Sequence, residues 1–105
     1  MLKDERRDAA KDYLFEAILT LETIEDCYNF FEDLCTVPEL KAMSQRIVVA
    51  KMLTDKKVYS DIVAKTGAST ATISRVNRSL IYGSDGYEMV FGRIFDKKED
   101  KAEDK

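Results

Sequence analysis

Between Ser60 and Leu80 the chain reads SDIVAKTGASTATISRVNRSL, and the side chains there suit recognition better than catalysis. Ser69, Thr70 and Ser74 offer hydroxyls that donate to or accept from base edges and phosphates. Ala71 and the Thr70 methyl can touch the methyl group of thymine. Arg75 and Arg78 carry charge that neutralises phosphate, and Lys56, Lys57 and Lys65 stand just upstream. Small residues at the start of a helix also let its backbone come close to a groove floor. The bland alternative is that Ser69 only caps its helix and that the three lysines are only solvated.

The groups needed for chemistry on a substrate are missing. The chain has no His and only two Cys, so a metal centre is not expected. It has no phosphate-binding loop of the Walker type and no nucleophile beside a base. Asp33 and Glu39 lie in an acidic helical stretch and read as a solvated face. We therefore expect no enzyme. Cys27 and Cys35 sit eight residues apart, about 12 Å of rise on one helix, beyond disulfide reach. They read as buried or half-buried thiols in a reducing cytoplasm.

The recognising side chains need a helix held at a fixed angle to its neighbour. Gly67 can take the left-handed conformation of a tight turn, so residues 59–80 read as a helix-turn-helix. In this reading Ser60 caps the first helix, which ends near Thr66, and the second runs from about Thr70 to Leu80. Ile73, Val76 and Leu80 face inward, against Ile62 and Val63. Upstream, residues 8–21 repeat apolar side chains at helical spacing. Thr23 and Asp26 resemble a capping box opening a second helix that carries Ile24, Cys27, Tyr28, Phe31 and Leu34. Thr36 reads as the cap of a third, with Pro38 in its first turn, running to about Thr54. Downstream, Tyr87, Val90, Phe91, Ile94 and Phe95 mark a sixth helix over 86–95. Residues 96–105 are nearly all charged and are expected to form a disordered tail.

The chain thus reads as one all-α domain over residues 1–95. Residues 8–54 serve mainly dimerisation, because three helices carry more apolar surface than one small core can cover. No apolar run is long enough for a membrane, and the N-terminus lacks the pattern of a signal peptide. The net charge of −3 hides a division. Residues 1–40 hold four basic and eleven acidic groups, net −7; residues 41–80 hold eight basic and two acidic, net +6; residues 81–105 are net −2. A basic middle between acidic ends is expected where one segment meets phosphate.

The stretches LCTVPELKAMSQRIVVAKML (34–53) and YSDIVAKTGASTATISRVNRSL (59–80) resemble the tryptophan repressor superfamily, in particular its YerC/YecD branch. TGASTATISRVNRSL is the most specific part. The resemblance implies a six-helix, all-α, intertwined homodimer in the cytoplasm of a bacterium. It implies a transcriptional repressor binding palindromic double-stranded DNA, with half-sites about one helical turn (about 34–36 Å) apart. It places operator contacts on Ser69, Thr70, Ala71 and Ser74, with Arg75 beside them. The superfamily's repressor holds tryptophan between two arginines, and Arg46 and Arg75 match those places, with Thr72 and Ser79 also fitting the pocket. Val76 departs from the pattern, standing where the repressor has a glycine beside the ligand. Its bulk is expected to close the pocket, so we expect no cofactor, with an amino-acid co-repressor or another small effector as the alternatives. The competing function is a protein-interaction module that keeps the helix-turn-helix shape without binding DNA.

Overall fold

The first three helices begin where short polar side chains can take up free backbone N–H groups. A computed structural model describes residues 4–103. It contains α1 (Ala9–Ile18), α2 (Ile24–Leu34), α3 (Val37–Thr54), α4 (Tyr59–Thr66), α5 (Thr70–Tyr82) and α6 (Gly86–Glu103), with no strand among the described residues. Asp8 caps α1 by accepting from the Lys11 N–H. Thr23 accepts from the Asp26 N–H at 3.0 Å, and the Asp26 carboxylate accepts in return from Glu22, one residue before the position usual for a capping box. Thr36 and Glu39 form the full reciprocal box: the Thr36 N–H donates to Glu39 Oε1 at 2.9 Å, and the Glu39 N–H to Thr36 Oγ1 at 3.2 Å.

Hydrogen bonding of the Glu39 carboxylate by the Thr36 N–H first, and by the Thr36 side chain second, holds its carboxyl below its ordinary pKa. A depressed folded-state pKa contributes stability above the unfolded value, and that contribution is lost as pH falls through the folded value. Glu39→Ala is therefore expected to be less stable than the parent at neutral pH, with the gap closing in acid. Parallel denaturant titrations across the carboxylate range check this.

The chain divides at Leu40/Lys41 into two units. In the N-terminal unit no residue of α1 or α2 is buried. Tyr13, Ile24 and Tyr28 are 75%, 77% and 68% exposed. Helix α1 stops at Ile18, short of the expected residue 21, because the Thr20 hydroxyl and the Thr20 N–H both donate to the Ala17 carbonyl and tighten the last turn. Both cysteines are free, but Cys27 is exposed where a buried or half-buried thiol was expected, as part of this uncovered α2.

The C-terminal unit has a core. Val49 and Ala50 of α3, Ile62 of α4, Ala68, and Ile73 and Val76 of α5 are all at most 2% exposed. Met52, Leu53, Leu80, Tyr87 and Phe91 pack around them. Each fully buried Ile contributes about 2–3 kcal/mol. Val63, expected inward, is exposed, since on a helix of eight residues Ile62 takes the single central core position.

The α3–α4 connection is a Schellman turn: the Lys57 N–H donates to the Met52 carbonyl and the Lys56 N–H to that of Leu53, both at 3.0 Å. Lys56 takes the left-handed position, with φ 65°. A non-glycine residue there costs about 1–2 kcal/mol, partly offset by the greater unfolded-state freedom of glycine. Lys56→Gly should raise stability by about 0.5–1 kcal/mol, read as a higher melting midpoint. Ser60 does not cap α4. Val58 does, without a side-chain bond, because its carbonyl already accepts from Asp61 and Ile62 and helical bonding has begun before Ser60.

Two departures concern the C-terminal end. Helix α5 runs on to Tyr82 and stops at Gly83, where a Cβ would stand against the Ser79 carbonyl oxygen. Helix α6 does not end at residue 95 before a disordered tail; it continues to Glu103. Residues 96–103 contain no Gly, Pro or β-branched residue, and Lys, Glu and Ala extend a helix already nucleated at residue 86. Residues 104 and 105 of the expected tail lie outside the described residues. Among the described residues no helix is long and apolar enough to cross a membrane, and no group of His, Cys, Asp and Glu could hold a metal ion.

Candidate nucleic-acid interface

The α4–α5 turn is fixed by four bonds. The Gly67 N–H donates to the Val63 carbonyl at 2.9 Å, with Gly67 at φ 72°. A Cβ at Gly67 would meet nothing within 4 Å, so the turn requires its positive φ and not its small size. The Thr66 hydroxyl donates to the Ile62 carbonyl at 2.7 Å and accepts from the Ala68 N–H at 3.1 Å. Gln45 of α3 donates its side-chain amide to the Thr66 carbonyl at 3.1 Å, tying the turn to the supporting helix. Gln45 was not visible as a positioning residue in the sequence, because a polar residue off the apolar stripe gives no periodic signal. A free carbonyl at the end of α4 is the one clue that something must reach it.

Ser69 caps α5, accepting from the Thr72 N–H at 3.1 Å and donating to Thr72 Oγ1 at 3.1 Å. Beyond the cap, Ile73 and Val76 anchor α5 to Ile62, leaving Thr70, Ala71, Ser74, Arg75 and Arg78 exposed. At the helical period Thr70, Ala71, Ser74 and Arg78 fall within an arc of about 100°, with Arg75 at its edge. Among the described residues the hydroxyls of Thr70 and Ser74 have no hydrogen-bond partner. Lys56 and Lys57 are exposed at the α3–α4 turn, and Lys65 is exposed in the last turn of α4.

The cations divide into paired and unpaired groups. Arg6, Arg7 and Lys11 are each held by a carboxylate, as is Lys51 by Asp55. Lys51 also lies 5.8 Å from the Phe91 ring centroid. Among the described residues Arg46, Lys56, Lys57, Lys65, Arg75 and Arg78 make no ion pair. Among the described residues nothing pairs their charge, which can meet an anion.

The residues matched to an effector pocket are arranged otherwise. Arg46 and Ser79 are exposed and Thr72 is half-buried. The Ser79 hydroxyl donates to the Arg75 carbonyl at 3.3 Å, and that of Thr72 faces Ser69. Val76 is 2% exposed and packed within the core.

The Trp repressor protein family matches residues 9–94, nearly the whole described chain. The chain belongs to the Trp repressor family. This Trp repressor family member is 50% identical over 91 residues to the uncharacterized protein YerC of Bacillus subtilis (strain 168), covering 87% of this chain and 88% of YerC. Its fold matches the crystal structure of a candidate Trp repressor from Staphylococcus aureus, with a TM-score of 0.83 and 54% identity over 90% of this chain and 94% of that one. A TrpR-like protein from Eubacterium eligens matches with a TM-score of 0.82 and 57% identity, over 84% of this chain and 91% of the other. The all-α, six-helix architecture expected from the sequence is thus the family's own.

Proposed function

We propose that the chain is a cytoplasmic, sequence-specific transcriptional regulator, acting as a repressor. It binds palindromic double-stranded DNA as an intertwined homodimer. The observation that carries this reading is the face of α5: exposed hydroxyls without partners beside arginines without counter-ions, mounted on a buried anchor. Approach is electrostatic, through Lys56, Lys57, Lys65, Arg75 and Arg78. Seating of α5 in the major groove then brings Ser69, Thr70, Ala71 and Ser74 to the bases and the nearby phosphates. The Trp repressor family supplies the regulatory role. The dimer is supported by α1 and α2, whose apolar side chains need a cover that a single copy of this unit does not provide.

In this proposal the regulator works without an amino-acid co-repressor. Support comes from Val76, whose side chain occupies core space, and from Thr72 and Ser79, whose hydroxyls are engaged locally. The reading needs no catalytic group.

Selection of random duplex DNA by the purified protein, without added small molecules, tests the reading. Enrichment of a palindrome, with sedimentation showing two protein copies per duplex, is the expected result. Failure to enrich any sequence, with or without added tryptophan, would overturn it and favour the interaction module.

A further inference from the structure

Helix α4 is held to α3 at both ends, and the two attachments differ in kind. At its start the backbone follows α3 through the Schellman turn. At its far end the Gln45 side-chain amide reaches across twenty-one residues and donates to the Thr66 carbonyl at 3.1 Å. Resting on the DNA-binding reading above, we infer that Gln45 determines specificity. Its bond sets the angle of the α4–α5 pair on α3, and so the half-site spacing that the dimer accepts.

The other side-chain bonds described for these helices, those of Lys51, Thr54, Thr66, Ser69 and Ser79, close within four residues and shape single turns. The remaining attachment is apolar, with Val49 and Ala50 of α3 in one cluster with Ile62, Ile73 and Val76. Burial of that kind is non-directional, so it resists separation of α4 from α3 more than rotation. A hydrogen bond weakens steeply as its angle departs from linear, and this one is half-buried, where it is stronger than in water. Gln45 is thus the directional restraint at the end of α4 that leads into α5.

The lever is short and its effect is doubled. Helix α4 has eight residues and is about 12 Å long. A swing of about 8° about its start carries a far end at that distance about 1.7 Å. In a two-fold dimer both heads swing, and the sum, about 3.4 Å, is the rise of one base pair. Loss of the bond therefore admits neighbouring spacings while leaving every side chain of the exposed α5 arc in place.

The test uses the operator selected by the parent, rebuilt with its half-sites one and two base pairs closer or farther apart, and also cut down to a single half-site. The parent should favour one spacing. Gln45→Met keeps the length of the side chain and removes the donor. It should lower the preference for that spacing over its neighbours by about fivefold, the worth of one hydrogen bond. Affinity for the single half-site should stay within about twofold of the parent, which loss of folding would not allow. Gln45→Glu, which keeps the shape and loses the donor, is the second variant and should flatten the spacing profile in the same way. Circular dichroism reports that the fold is retained. A spacing profile that superimposes on the parent's in both variants would overturn the inference, as would an equal fall in single half-site affinity. Either result leaves the DNA-binding reading intact. Absence of any operator enriched by the parent would instead overturn that reading itself.

Discussion

Ile73→Ala is expected to lower the stability of the C-terminal unit by about 3–4 kcal/mol. Ile73 is fully buried and belongs to a core of six enclosed side chains among the described residues. Its removal leaves a cavity lined by Ile62, Val49 and Val76 that so few neighbours cannot refill. Against total stabilities of about 5–15 kcal/mol for folded domains, this is a large fraction. Ser74→Ala, one residue away on the exposed side, should stay within about 0.5 kcal/mol of the parent. Denaturant melts of the two variants check the contrast. Equal losses would mean that α5 is not anchored through its Ile73 face.

Removing both Arg75 and Arg78 is expected to weaken operator binding by about two to three orders of magnitude without unfolding the protein. Both guanidinium groups are exposed and without ion pairs among the described residues, so their loss leaves no buried partner behind. In a homodimer the double substitution deletes four contacts to phosphate. The slope of log affinity against log salt should therefore fall by about 3–4. Arg6→Ala with Arg7→Ala is the matched control, because those cations already have carboxylate partners. It should leave the slope unchanged. A slope equally steep in the Arg75 and Arg78 variant would show that the phosphates are met elsewhere.

The parts of this molecule that were legible in the sequence share a cause. Gly67, Ser69 and Thr36 act within four residues of themselves, so their roles follow from local spacing. Ile73 and Val76 announce themselves by helical period, since the anchored face of α5 is apolar and the reading face polar. The misses are of other kinds. Gln45 acts across twenty-one residues on a backbone carbonyl, and no local pattern records that. Val63 and Ile62 are adjacent and equally apolar, and only packing decides which turns inward. The extension of α6 to Glu103 was hidden by composition: charge density argues for solvation, which a helix permits as readily as a coil does.

The division of α5 into an anchored arc and an exposed arc bears on how a regulator of the proposed kind changes over generations. Thr70, Ala71, Ser74 and Arg78 add nothing to the core, and the turn that aims them is set by Gly67, Thr66 and Gln45. Exchanges among those four positions can therefore redirect a duplicated copy to a new operator at almost no cost in folding. Drift in target sequence is free to outpace drift in architecture, and two descendants with superimposable backbones can govern unrelated genes.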